Sequence, residues 1–245
     1  MKIYKQLLVT AGLLALAASP ALAYEPGTFI LRGGVGTVAP KSNNLSGQIE
    51  DEFATFEASV DVANGTGMTL SGTYMINENW AFDVLAALPI RHDIDFTIFD
   101  YEVPDVLAVQ DVKGKLGDTK QIPPTVSFQY HFAPDRDFQP YFGLGLNWTT
   151  FSSTSFEPKV EGVPLDDLDV LLGIEKMHLD DSFGLAAQLG GDWAIGDRAV
   201  VSFDVRWMDI DPELLFSGPS FDGREKAGTI EIDPWIYSLN LGYRF

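Results

Sequence analysis

The chain has 245 residues, no cysteine and a formal net charge of −19 at pH 7, from 35 acidic against 16 basic residues. That acidity argues against a nucleic-acid partner, which needs lysine and arginine to displace counterions. The missing thiols exclude a disulfide framework and a cysteine-ligated metal.

The N-terminus reads as an address label. Lys2 and Lys5 give a positive start, residues 7–18 are apolar, and Ala21-Leu22-Ala23 has the small-x-small cleavage pattern. This predicts a secretory signal peptide over residues 1–23, cleaved near Ala23, ahead of a single domain at 24–245. The apolar core of the leader is shorter than the roughly 20 residues that a membrane-spanning helix needs. Loss of both leader lysines leaves 14 basic residues against 35 acidic ones, or −21.

From Tyr24 onward the apolar residues recur with period two, which predicts strands. Taking every second residue, eight apolar rows follow in chain order: Phe29 to Val35, Met68 to Tyr74, Trp80 to Leu88, Val126 to Phe132, Phe142 to Trp148, Phe183 to Trp193, Val201 to Trp207 and Trp235 to Phe245. None of the eight contains a charge. The opposite rows hold Ser, Thr, Asn, Gln and six charges, Arg32, Asp83, Asp192, Asp204, Arg206 and Arg244. Three of each sign allow complete pairing, which buried charges require.

The links between strands alternate in length. Asn77-Glu78-Asn79, Pro134 to Asp137 and Gly196-Asp197-Arg198 are short, whereas the other links, near 38–65, 91–119, 152–181 and 208–231, are long. In an up-and-down sheet this puts every short turn at one end and every long loop at the other. Four structureless links of this length would be improbable in a soluble domain. At the turn side the apolar rows begin or end in Phe29, Tyr74, Trp80, Phe132, Phe142, Trp193 and Tyr243. Such rings form a girdle at lipid headgroup level. A charge on that face at mid-bilayer would cost about 2–4 kcal/mol, which accounts for the uncharged rows.

The expected fold is therefore all-β: an eight-stranded, antiparallel, up-and-down transmembrane β-barrel with long external loops and short periplasmic turns. Closure leaves no unpaired edge in lipid. Eight strands enclose a space that side chains or one slim ligand can fill. Leu165, Leu168, Leu171, Leu172 and Met177 recur at helical spacing after Pro164, predicting a short helix that either caps the mouth or tidies a loop.

Candidates for chemistry are few. His92 precedes Asp93 and Asp95 near the external rim, and Asp209 and Asp211 stand at a corresponding rim without a histidine. His131 lies at the turn end. A hydrolase needs an oriented base within reach of a nucleophile or water, so neither catalysis nor a cofactor is expected. No zinc or calcium spacing appears, and no metal site is expected. The four long links carry −18 of the −21, so the external face is anionic beside anionic lipopolysaccharide. Their repulsion calls for screening or bridging by divalent cations.

An ordered set of short motifs resembles the OmpW family. It runs through Leu88-Pro89-Ile90-Arg91-His92, Pro123-Pro124-Thr125, Pro140-Tyr141 with Gly143 and Gly145, Trp207-Met208-Asp209-Ile210-Asp211, Asp233-Pro234-Trp235 and Gly242-Tyr243-Arg244-Phe245. The resemblance implies a narrow, largely hydrophobic lumen that opens outward, with passage of small hydrophobic molecules and a sideways exit through a gap in the wall. It places Leu85 among the apolar residues lining that lumen. Arg206 stands where the family has an inward aromatic. Phe245, preceded at alternate positions by Tyr243, Leu241 and Leu239, resembles the signal read by the outer-membrane assembly machinery. The expected function is a passive channel or receptor for a small hydrophobic ligand. The alternative is a structural or surface-interaction barrel with acidic loops and no transport role.

Overall fold

A computed structural model describes residues 24–41, 44–51, 54–102, 112–160, 163–164, 174–220 and 222–245. The leader and Leu165, Leu168, Leu171 and Leu172 lie outside the described residues. The strands are β1 (Phe29–Ala39), β2 (Leu45–Asp51), β3 (Ala54–Val62), β4 (Gly65–Met75), β5 (Trp80–Ala87), β6 (Ile90–Glu102), β7 (Val112–Ile122) and β8 (Thr125–His131). They continue as β9 (Phe138–Val160), β10 (Val163–Pro164), β11 (Lys176–Leu179), β12 (Ser182–Ile195), β13 (Ala199–Met208), β14 (Glu213–Ser217), β15 (Glu225–Thr229) and β16 (Trp235–Arg244).

Eight of these close into a ring, in the order β1-β4-β5-β8-β9-β12-β13-β16 and back to β1, every pair antiparallel. Ring order follows chain order, as an up-and-down barrel requires. The closing seam runs from Ile30 opposite Arg244 to Ala39 opposite Trp235. Short turns join β4 to β5, β8 to β9 and β12 to β13. In the first, the Asn77 side-chain oxygen accepts the N–H groups of Asn79 and Trp80, each at 2.9 Å, an Asx turn. In the third, Gly196 takes a φ of 63°, which glycine adopts without a steric penalty.

Alternation divides the wall as the sequence pattern predicts. Outward rows face the surroundings, up to 71% exposure at Leu241, while Asp83, His131, Asn147 and Ser202 on the inner rows are wholly buried. The side chains of Phe29, Tyr74, Trp80, Phe132, Phe142, Trp193 and Tyr243 are all exposed on the outer face.

The long links are not the irregular loops expected from the sequence. β3, β6, β7 and the outer half of β9 carry the wall outward as an antiparallel sheet, with β2 paired to β3 and β10 to β9. A separate sheet in the order β11-β14-β15 covers the other side. The reason is visible in β6: Ile90, His92 and Ile94 are buried while Arg91 and Asp93 are exposed. Period two persists beyond the membrane, but the outer row is charged there because it faces water. The predicted helix fails at its described end: Met177 lies in β11, buried beside Leu179 at strand spacing.

The chain lacks native cysteine, so single-cysteine variants report topology directly. Ser220→Cys, next to the β14–β15 turn, is expected to react with a membrane-impermeant maleimide on intact cells. Asp135→Cys, in the β8–β9 turn, is expected to react only after permeabilisation. The reverse pattern would invert the assigned orientation.

Candidate functional site

The inner face of the barrel is layered. At the turn end Tyr24 folds inward with Ile30, Met75, Ala81 and Val200 as an apolar floor. Its hydroxyl donates to Asp192 Oδ2 at 2.6 Å, and its ring meets that of His131 edge-on at 5.3 Å. His131 Nε2 lies 3.2 Å from Gln129 Oε1. Arg244 serves this floor: it donates to the carbonyls of Gly196 at 3.2 Å and Asp197 at 2.9 Å, and its guanidinium lies 5.7 Å from the centre of the Tyr24 ring.

Above the floor lies an ionic layer. Arg32 pairs with Asp192 and donates to Ser202 Oγ at 3.0 Å and to Thr73 Oγ1. Arg206 donates through Nε to Asp204 at 2.8 Å and through Nη2 to Asp83 at 2.9 Å. Asp83 also lies 3.9 Å from Arg32 and accepts from Thr73 at 2.7 Å, and Asp204 accepts from Ser238 at 2.7 Å. The structure thus joins five of the six inward charges in one network, with Arg244 placed at the floor below. β13 and β5 stand on opposite sides of the ring, so the Arg206–Asp83 bond crosses the lumen. Its partners are only 1–3% exposed, and such a charge is tolerated because its counter-charges and hydrogen bonds are in place.

The outer half of the lumen is apolar. Leu85, Ala186, Met208 and Ile236 begin just above the Arg206 strap, and Val38, Ile90, Ile94, Ile210, Ile230 and Ile232 continue outward. The β11-β14-β15 sheet contributes Met177, Leu179 and Leu214 as a cap. Leu85 is two residues from Asp83 on β5, at the boundary between the layers.

Beside the apolar half the wall has a seam. Leu88 N–H donates to the Met68 carbonyl at 3.2 Å, and Ala63 N–H donates to the Asp93 carbonyl at 2.8 Å. Between those bonds, among the described residues, no ladder pairing joins β4 to β6. Pro89 has no N–H to offer there. Side chains fill the break: a Cβ added at Gly65 would stand 2.6 Å from His92 Cε1, and one at Gly67 2.7 Å from Ile90 Cγ1. Only glycine permits that approach. His92 Nδ1 lies 2.8 Å from the Ala63 carbonyl oxygen.

The rim residues do not assemble a hydrolytic site. His92 and Asp93 project to opposite faces of β6, His92 buried and Asp93 paired outside with Lys115 at 2.6 Å. Burial holds the His92 imidazole below its usual range, partly offset by the Ala63 carbonyl and Asp93. Asp209 and Asp211 meet Asp233, their carboxylate oxygens within 4.8 Å of one another, and Lys41 lies 3.0 Å from Asp233. Burial, then Asp233 and Asp209, push the Asp211 carboxyl above the ordinary range. Sequence reasoning missed Asp233 as a neighbour, although Asp233-Pro234 directly precedes the last strand. It also missed Tyr24, whose role depends on the chain turning inward below β1.

Two outcomes follow. Arg206→Ala strands Asp204 and weakens the hold on Asp83, and is expected to lower stability by about 3–5 kcal/mol in urea unfolding from lipid vesicles. An unchanged midpoint would rule out a structural role for the strap. For Asp211, the raised folded-state pKa means stability present below the ordinary aspartate range, near ~4, and lost as pH rises through the folded value. Asp211→Asn is therefore expected to raise the urea midpoint at pH 7 and not at pH 3. Equal midpoints at both would show that the repulsion is screened.

Comparison with known proteins agrees with this architecture. The OmpW family matches over residues 25–245. Outer membrane protein W of Vibrio cholerae is 32% identical over 236 residues, covering 96% of each chain. That of Escherichia coli K12 is 30% identical over 243 residues, covering 98% of this chain and 100% of its own. Among solved structures, the outer membrane protein OprG of Pseudomonas aeruginosa aligns with a TM-score of 0.70 at 31% identity, over 91% of this chain and 98% of its own. The outer membrane protein AlkL shares the fold, with a TM-score of 0.55 at 18% identity, over 93% of this chain and 94% of its own. The apolar outer face therefore lies in the outer membrane, amid lipid and lipopolysaccharide, and the chain belongs to the OmpW family of outer-membrane β-barrel proteins.

Proposed function

We propose that the barrel admits small hydrophobic molecules from outside into the apolar half of its lumen and releases them sideways at the Pro89 seam. One observation carries this reading: the Arg206–Asp83 strap crosses the lumen directly below Leu85, Ala186, Met208 and Ile236. A ligand that desolvates against those apolar side chains meets paired charges on the axial path, where burial without a partner is unfavourable. The absence of β4–β6 ladder pairing among the described residues supports a lateral route, since separating the wall there breaks fewer backbone hydrogen bonds than parting two fully paired strands of the ring. Admission requires the β11-β14-β15 cap to yield, because Met177, Leu179 and Leu214 occupy the mouth.

The same reading assigns roles outside the lumen. Residues 1–23 direct export. Phe29, Tyr74, Trp80, Phe132, Phe142, Trp193 and Tyr243 anchor the turn end among lipid headgroups, and Tyr243 with Phe245 presents the last strand to the assembly machinery. No role in catalysis is proposed.

Leu85→Asp is expected to depress uptake of an apolar tracer into whole cells several-fold while leaving a folded, heat-modifiable barrel. A charge there without a counter-charge makes the apolar half hostile to the tracer. Normal uptake through a folded Leu85→Asp barrel would defeat the proposal and leave the surface-interaction alternative standing.

A further inference from the structure

The apolar half of the lumen ends on three polar atoms with nothing to bond. Arg206 uses Nε and Nη2 on Asp204 and Asp83, but its Nη1 has no hydrogen-bond partner, although the residue is only 3% exposed. Gln188 on β12 is the cross-strand partner of Arg206 and is also 3% exposed. Neither its Nε2 nor its Oε1 is hydrogen-bonded. Its amide lies over Gly143 on β9, where an added Cβ would come within 2.6 Å of Nε2, so a bare backbone makes room for it. Ala186 precedes Gln188 by two residues on the same inner row, and Ile236 is paired with Arg206 on β16. Buried polar groups in folded proteins are almost always satisfied, and an unsatisfied set at the foot of an apolar cluster marks a place where a partner arrives from outside the chain.

We propose that Arg206 Nη1 and the Gln188 amide form the headgroup end of a ligand site for a linear aliphatic alcohol. This rests on the hydrophobic-passage reading above and narrows it to a substrate class. The alcohol oxygen accepts from Arg206 Nη1, and the hydroxyl hydrogen is donated to Gln188 Oε1. The tail lies outward along Leu85, Met208 and Ile236. An alkane of the same length leaves all three atoms unsatisfied. A carboxylate is disfavoured for a different reason. Three arginines and three aspartates already balance inside the wall, and Arg206 itself holds two carboxylates. A further anion would be the single excess charge in a low-dielectric interior. A neutral group that both donates and accepts engages the Arg206 donor and the Gln188 acceptor together.

The test uses the full-length barrel in lipid nanodiscs with 1-decanol, decane and decanoate as probes. Decanol is expected to shift the Gln188 side-chain amide resonance saturably, while decane and decanoate leave it in place. The absence of a decanol-specific shift, or equal shifts with all three probes, would overturn the assignment. In whole cells, barrel-dependent uptake of decanol is expected to exceed that of decane about fivefold, the worth of one or two net hydrogen bonds. Gln188→Leu, checked for heat-modifiable folding, is expected to bring that ratio close to one, and a retained ratio would remove Gln188 from the site. Failure of the passage reading looks different: decanol still shifts Gln188 in nanodiscs, but no probe enters cells faster than in a strain without the barrel.

Discussion

Hydrocarbon offers no partner to a peptide N–H or C=O, and that deficit shapes everything else in this chain. A strand in lipid must be flanked on both edges, so β1 has to meet β16, and the sheet must be a ring. Once the ring closes, alternate side chains have no choice of environment. One row faces lipid and must be apolar, and the other is confined to a bore that eight strands make narrow. Between β4 and β6, among the described residues, pairing lapses just beyond Pro89, and there glycines let Ile90 and His92 occupy the break.

The bore then imposes a second choice. Polar residues turned inward are cut off from bulk water, so they satisfy one another or remain unsatisfied. In the lower half Arg32, Asp192, Asp83, Arg206 and Asp204 take the first course, held in one network with neighbouring hydroxyls, while Arg206 Nη1 and the Gln188 amide take the second. The upper half is filled with aliphatic side chains from the wall and the cap. A ring built from uniform strands thereby acquires direction, polar and cross-braced toward the turns and apolar toward the long links.

Much of this was legible in the sequence because lipid is a uniform solvent. It imposes one rule on every outward position, and eight uncharged rows record it. The inward residues were legible as a set, since they occupy the alternate positions, but their pairing was not. Arg206 and Asp204 share a row two residues apart, so their contact could be foreseen. The bond from Arg206 to Asp83 joins strands on opposite sides of the ring, and only closure and register bring them together. The sheets beyond the membrane were misread for a related reason. Outside lipid the outer row carries Arg91 and Asp93, so an uncharged row stops being the mark of a strand while the inner alternation of Ile90, His92 and Ile94 continues. The seam had a local signal in Leu88-Pro89 but no sequence measure of the β4 backbone facing it.

The seam between β1 and β16 also bears on how the molecule comes into being. Ile30 and Arg244, opposite each other there, come from the two ends of the ring in sequence, so the contact that completes the wall is the least local one in the fold. Folds dominated by such contacts reach the native state slowly. Arg32 on β1 finds Asp192 and Ser202, on β12 and β13, only across that junction. In an open sheet these charges would remain hydrated on a concave face, and the last strand pairing would strip their water as it brings their partners together. Closure and charge burial are thus one cooperative event. Reopening must separate desolvated ions before water can return to them, which slows unfolding and makes the barrel's persistence a matter of its barrier as well as its equilibrium.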